Sequence, residues 1–260
     1  MEELTNENYF SPQMEEAYMT YSQFKEFKGC EAKALALLKG EFEKPSSLSL
    51  LQGSYVDAHF SGEMEEFKKK NPSLFKKDGT LKSDFEVCDR VIQSIESDEG
   101  FLSEYFKGET QKVLTGSIAG VPFKGKIDML YPDKIVDMKC MATIEPTWDE
   151  EEHRKKPFYS FYQYHIQAAI YQELVFQATG QRLPYYLAGA TKEKVPRKFA
   201  YHFDQSVLDK ALEEVKALAP RFQMVKEGKL PPMECGHCDY YNSTHKFTMF
   251  DVKEITLEDM

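Results

Sequence analysis

The chain is poor in several things that would narrow its class at once. It has one tryptophan, Trp148, and five cysteines in 260 residues. The cysteines, at positions 30, 88, 140, 235 and 238, are odd in number and widely scattered. That pattern excludes the paired framework of a small secreted disulfide fold, and a reducing cytoplasm is the expected setting. No apolar run approaches the roughly 18 residues that a membrane span needs. The first nine residues, Met1 to Tyr9, are acidic and polar, so a signal peptide is not expected either. Positive charge is also scarce: 33 Lys and Arg stand against 43 Asp and Glu, a net charge of -10. A general nucleic-acid coat is thereby excluded, because its affinity comes from lysines and arginines on phosphates. A hydrolase of phosphodiesters is not, since acidic metal ligands add to the negative count and substrate contact needs only a local basic lining. Candidate linings are Lys68 to Lys70 with Lys76 and Lys77, the pair Lys155 and Lys156, and the stretch KEKVPRK from Lys192 to Lys198. No internal repeat or low-complexity tract is present.

The first hundred residues carry helical periodicity. Phe24, Phe27, Ala34, Leu35 and Leu38 recur at spacings that make one apolar side of a helix over 20–38, closed by Gly40. A second helix starts at Ser46 or Ser47, either a good N-cap, and runs through Tyr55, Val56, His59 and Phe60. Asp84 caps a third, with Phe85, Cys88, Val91, Ile92 and Ile95 on its buried side. NPSLFKKDGT reads as a loop. From Glu109 the period becomes strand-like, with runs over 109–115 and 121–130 separated by Gly116 and Gly120. EPTWDEEEHRKKP, over 145–157, reads as a loop, followed by an aromatic-rich helix over 160–179 that Gly180 ends. On that helix Gln163, Gln167, Tyr171 and Leu174 share a face. Strands over 184–190 and 199–203 and a long helix opening at Asp204 complete the pattern. The expected fold class is α/β, with a mixed sheet flanked by helices and a helical N-terminal portion. Residues 1–108 form that portion, packed on a core over 109–260, and together they are expected to make one integrated domain.

The chemistry concentrates in KIDMLYPDKIVDMK, residues 126–139. Tyr-Pro-Asp-Lys between β-branched runs reads as a tight turn, so the runs pair as an antiparallel hairpin. If Tyr131 faces Lys134, then Met129 faces Val136 and Asp128 faces Asp137. Opposed side chains on one face have Cβ atoms roughly 4.5 to 5.5 Å apart, and like charges there destabilise the sheet. A hard divalent cation offsets that repulsion with oxygen ligands. Lys139 lies two residues past Asp137, on the same face by strand alternation. Two carboxylates and a lysine beside a bound cation are suited to hydrolysis of a phosphodiester. Asp133 belongs to the turn.

These residues resemble the PD-(D/E)xK nuclease superfamily in its RecB-like branch, most nearly the RecE-type (exodeoxyribonuclease VIII-like) exonucleases of prophages. The likeness covers about residues 20–245 and rests on GSYVDAH, GKIDM, IVDMK and QAAIY in the family's order. It implies a restriction-endonuclease-like core in which His59, Glu109, Asp128, Asp137 and the backbone carbonyl of Met138 bind Mg2+ or Mn2+. Glu104 competes with Glu109 for its place. Lys139 would position the nucleophilic water, and Gln167 and Tyr171 would contact DNA or brace the site. The implied activity is 5′ to 3′ exonucleolytic digestion of double-stranded DNA ends in phage-type recombination, with a single-strand annealing protein as partner and a homo-oligomer as one assembly. A CRISPR-associated or helicase-linked nuclease acting on single strands is the alternative, and a non-catalytic DNA-binding module of the same fold is the second. Some RecB-like relatives also hold an iron–sulfur cluster on one N-terminal and three C-terminal cysteines. Here Cys30, Cys235 and Cys238 match three positions, but Tyr241 stands where the last cysteine would be, and His237 or His245 are imperfect substitutes. A decayed site or a plain closing loop is the expectation there, ahead of a bound metal or cluster.

Overall fold

The computed structural model describes residues 3–44, 47–150, 152–249, 252 and 254–256. The N-terminal helices are α1 (Pro12–Ala17), α2 (Tyr21–Gly29), α3 (Glu31–Leu38), α4 (Leu48–Ser61), α5 (Met64–Lys70), α6 (Ser83–Glu96) and α7 (Glu99–Tyr105). Strands β1 (Glu109–Ile118), β2 (Val121–Leu130) and β3 (Ile135–Met141) follow, then a small hairpin of β4 (Thr147–Asp149) and β5 (Arg154–Lys156). The chain continues through α8 (Phe158–Phe161), α9 (Tyr164–Thr179), β6 (Tyr185–Thr191), β7 (Lys198–His202), α10 (Gln205–Lys226) and α11 (Asp239–Thr244). Among the described residues no helix is long and apolar enough to cross a membrane.

Four local expectations are altered. The helix expected over 20–38 divides at Cys30, whose backbone is extended (φ -161°, ψ 111°). Cys30 closes α2 by donating its N–H to the Glu26 carbonyl and opens α3 by accepting from the Ala34 N–H, and Gly29 before it is a weak helix former. The second helix opens after Ser47; Ser46 lies outside the described residues. Lys82, not Asp84, occupies the cap position of α6, and Asp84 sits in the first turn. The helix expected over 160–179 breaks at Gln163, held left-handed at φ 58°, so Gln163 leaves the face it was expected to share. Its Oε1 accepts instead from Lys28 Nζ at 3.1 Å. The loop over 145–157 folds into the β4–β5 hairpin.

The main sheet has five strands in the order β1-β2-β3-β6-β7. Only β3 and β6 run parallel, joined by a crossover through α8 and α9, so the sheet is mixed. Its residues go to two cores, by strand alternation except on β2, where the alternation breaks at Asp128 and Ile127 and Met129 go to opposite ones. Ile127, Ile135, Tyr185 and Leu187 pack with Ile166, Ile170 and Leu174 of α9, with Leu208 and Val215 of α10, and with Phe24 and Phe27 of α2. Met129, Val136, Met138 and Ala188 face the other way, against Tyr55 and Val56 of α4 and the apolar stripe of α6. Each large side chain so buried contributes about 1.5–3 kcal/mol.

Two close approaches fix how the layers meet. A Cβ at Gly125 of β2 would lie 2.9 Å from Leu174 Cδ1 and 3.1 Å from Tyr171 Cε1, so the bare backbone there lets α9 lie against β2. A Cβ at Gly189 of β6 would lie 1.8 Å from the carbonyl oxygen of Lys139, its partner on β3. No rotamer relieves a clash with backbone. Gly189→Ala is therefore expected to destabilise the chain by at least about 2 kcal/mol, read as a lower urea midpoint at unchanged slope. A midpoint equal to wild type would show that β3 and β6 are not this close.

Candidate active site

The hairpin register follows the turn. Tyr131 donates its N–H to the Lys134 carbonyl at 2.9 Å, and Leu130↔Ile135 and Met129↔Val136 pair as expected. There the β2–β3 ladder ends. β3 pairs with β6 along its whole length, Ile135 to Met141, and beyond Val136 that is its only partner strand, while the free edge of β2 is taken by Met19, which donates to the Pro122 carbonyl at 2.8 Å and accepts from the Lys124 N–H at 3.0 Å. The two strands thus fork at the aspartates. Asp128 occupies the crotch of the fork, its Oδ2 accepting the Met138 N–H at 2.9 Å. The carboxylate satisfies a backbone donor that the interrupted ladder leaves without a carbonyl.

Asp137 is nearly inaccessible, at 1% exposure. Its Oδ1 accepts from Gln167 Nε2 of α9 at 2.7 Å, and its Oδ2 forms an ion pair with Lys139 Nζ. Lys139 also lies 5.0 Å from the centre of the Tyr164 ring, a cation–π contact. Burial works against the lysine charge, but Asp137 and then Asp128 outweigh it, so Lys139 titrates above its ordinary range and is an ammonium at neutral pH. Asp128 is pushed well up by burial first, then by Asp137 and by Asp57. Tyr171, one turn beyond Gln167, lines the same groove and is held protonated by burial and by the neighbouring Tyr9, Asp137 and Asp128. Tyr185, on the sheet face of Asp137, is likewise held protonated by burial and by Asp137.

Two expected ligands lie elsewhere. His59 does not reach the groove: its Nε2 pairs with Glu96 Oε1 of α6 at 2.8 Å. The acid that α4 delivers is Asp57, which lines the groove with Asp128. Two helical positions differ by about 200° around the axis, so of Asp57 and His59 only one can face the fork. Glu109 sits at the outer start of β1, exposed and paired with Lys112 at 2.8 Å. The β1 residue opposite Asp128 is Gln111, left-handed at φ 54°, where the β1–β2 ladder skips a pair. Such a conformation in a non-glycine residue costs on the order of 1–3 kcal/mol and persists only where its surroundings impose it. Gln111 Nε2 donates to Asp57 Oδ1 at 3.2 Å. The competing Glu104 is occupied by Lys134. Met138 lines the groove and its N–H is used by Asp128.

The groove has two lobes, of about 970 and 580 Å3, which share Tyr21, Ser22, Ser54, Asp57, Asp128 and Tyr171. One lobe adds Lys70 and Lys126, the other Lys25, Lys44 and Lys139. Of the basic runs read from sequence, only Lys70 arrives here, and it is paired with Glu66 at 2.7 Å. Lys156 is paired with Asp149 and Glu152, and Lys198 with Asp98. Asp57, Asp128 and Asp137 are the hard oxygen donors that a divalent cation selects, though their oxygens do not all lie within 4.8 Å of one another and would have to draw together around it.

Asp57 offers a direct check. Burial, with Glu63 and Asp137 adding to it against Lys139 and Lys126, raises its pKa from 3.8 to about 6. Below the lower value both folded and unfolded chains are protonated and nothing is lost. Between about pH 4 and 6 the unfolded chain gives up its proton first, so the folded state loses stability as pH rises, and above about 6 the loss is complete. In metal-free protein Asp57→Asn should therefore gain about 2 kcal/mol at pH 7 and little at pH 4, measured by urea melts across that range. A gain independent of pH would place Asp57 in water.

Comparison with known proteins was made against this geometry. Residues 20–244 match the model of the PDDEXK-like domain of unknown function (DUF3799). A solved structure named "Putative exonuclease", from Eubacterium rectale, is 36% identical, with a TM-score of 0.89 over 100% of this chain and 98% of that one. A second, of SSO0001, aligns at 14% identity over 76% of this chain and 85% of that one with a TM-score of 0.27, too low to bear on the fold. A search of curated proteins finds no match. The forked mixed sheet, with its Asp, Asp and Lys on one face and helices on both sides, is thus a PD-(D/E)xK core, and the chain belongs to the PDDEXK-like family DUF3799.

Proposed function

We propose that the chain is a divalent-metal-dependent deoxyribonuclease that hydrolyses phosphodiesters at the ends of duplex DNA. The observation that carries this reading is the fork, which sets Asp128 and Lys139 in a single groove with Asp137 buried beside them and bonded to Lys139. The likeness to a structure named as an exonuclease supports it. The RecE-type resemblance supplies the finer expectations of 5′ to 3′ polarity and of handing the remaining strand to a single-strand annealing protein.

Asp57, Asp128 and Asp137 would hold Mg2+ or Mn2+. Bound there, the cation activates water and neutralises charge growing on the phosphate. Gln167 fixes the rotamer of Asp137 through its amide, and Asp128 is fixed by the Met138 N–H. Lys139 enters as a charged donor, so it orients water or a phosphate oxygen rather than removing a proton. Tyr171 lines both lobes of the groove as a protonated phenol. Lys25, Lys44, Lys70 and Lys126 meet the strand on either side, as phosphate contacts that set position and not sequence.

The test is linear duplex DNA labelled at either 5′ or 3′ ends, incubated with Mg2+, with a single-stranded arm beside it. Wild type should release nucleotides from the 5′ label first, and Asp137→Ala should be at least about 1,000-fold slower, since the cation supplies several kcal/mol of transition-state stabilisation. His59→Ala and Glu109→Ala should stay within a few-fold of wild type. Metal-independent release, or an active Asp137→Ala, would sink the reading; release from single strands alone would favour a helicase-linked type of nuclease. Lys139 has its own signature. Because its ammonium already neutralises Asp137, Lys139→Met should bind Mn2+ more tightly by calorimetry while cleaving more slowly, and weaker Mn2+ binding would contradict that role.

A further inference from the structure

Far along the chain from the forked strands, three cysteines from distant segments converge. Cys30, at the break between α2 and α3, meets Cys235 and Cys238 from the segment after α10, with all three Sγ atoms within 4.8 Å of one another. It is the only such group of metal-ligating atoms among the described residues. All five cysteines are free thiols. We infer that Cys30, Cys235 and Cys238 hold one thiophilic divalent cation of the zinc type, a site separate from the carboxylate groove.

The spacing argues for a single ion. Tetrahedral zinc with sulfur ligands at about 2.3 Å brings those sulfurs roughly 3.8 Å apart, so the three thiols need to move by about an ångström or less. A [4Fe–4S] cluster places each thiolate on a different iron and takes four cysteines, which spreads them more widely. No fourth cysteine is near. Cys88 is buried between α4 and α6, where its Sγ donates to the Gln52 carbonyl, and Cys140 belongs to β3.

Hydrogen bonds to two of the sulfurs are already in place. The Cys238 N–H donates to Cys235 Sγ and the Tyr241 N–H to Cys238 Sγ, each at 3.4 Å. N–H donors aimed at sulfur stabilise the thiolate that a metal requires. The two segments are also clamped beside the site. Glu31, next to Cys30, accepts from Arg221 Nε at 2.7 Å and from the Met233 N–H at 2.8 Å, and the Ala32 N–H donates to the Met233 carbonyl at 3.1 Å. Lys33 and Asp239 pair at 2.5 Å. The thiols are thus held in place before any ion arrives, which lowers the entropic cost of binding. On binding, three S–H bonds are replaced by three metal–sulfur bonds and three protons go to solvent; water takes the fourth position. The ion would pin the segment after α10 to the end of α2, the helix that carries Tyr21 and Lys25 into the groove.

The experiment is metal analysis of the full chain, purified reduced, reconstituted with Zn2+ and dialysed. Wild type and Cys140→Ala should each retain one zinc per chain, and Cys30→Ala, Cys235→Ser and Cys238→Ser should each lose it. Co2+ in place of zinc should give thiolate-to-cobalt charge-transfer absorption in wild type. Should a variant fail to fold, wild type decides alone: competition with a chromophoric zinc chelator should be abolished by prior alkylation of the thiols, and zinc should raise the thermal midpoint. A wild type that retains no zinc, variants that keep it, or iron with acid-labile sulfide in its place would overturn the inference. Because the readout is metal content, a failed nuclease assay would leave this site standing, and its own failure would leave the groove untouched.

Discussion

Everything at the groove depends on β2 and β3 parting company after two paired residues. A hairpin that stayed zipped would use the Met138 N–H in its ladder and press the aspartates together. Instead Asp128 takes that N–H with its own side chain, β3 continues paired with β6 alone, and Met19 fills the edge that β2 is left with. One interaction therefore fixes a carboxylate rotamer and separates two strands while completing the backbone hydrogen bonding. The parallel pairing with β6 then demands the crossover that brings α9, and with it Gln167 and Tyr171, over the same face.

The electrostatics of the fork are those of a charge excess only partly neutralised. Lys139 balances Asp137, but Asp128 is raised by burial, Asp137 and Asp57, and Asp57 by burial, Glu63 and Asp137. The groove around them holds further acids, among them Glu63 and Glu66, beside its lysines. A polyanion cannot approach such a surface on lysine contacts alone, which reconciles a net charge of -10 with a phosphodiester substrate. Cation and substrate would reinforce one another's binding.

Much of this was legible in the sequence, for reasons that can be named. Strand alternation and a Pro-Asp turn determine the hairpin register, which holds at Met129 and Val136. The i, i+4 spacing puts Gln167 and Tyr171 on one side of α9, and Gln167 reaches Asp137. What was missed lay where the backbone departs from its regular period. Gln111 and Gln163 are both left-handed without being glycine, and neither carries a sequence signal for it. On α4 a motif drew attention to His59, although a 100° step per residue means that Asp57 and His59 could never share the fork. Lys25 and Lys126 belong to none of the conspicuous runs and reach the groove, one in each lobe, only through the fold, whereas Lys70 and Lys156 of those runs are held in local ion pairs.

Buried lysines tie the ends of the chain together, with a consequence for the order of folding. Lys226, at the end of α10, donates to the carbonyls of Glu15 and Tyr18, each at 2.6 Å, and Lys124 in the middle of β2 pairs with Glu15 at 2.7 Å. The segment around Glu15 and Tyr18 is therefore held in part by a group 211 and 208 residues further on. That hold cannot close until synthesis has passed residue 226. Contacts of such long range are closed late and slowly. A nascent chain would carry its aspartates and lysine into the cell well before it has a groove in which to use them.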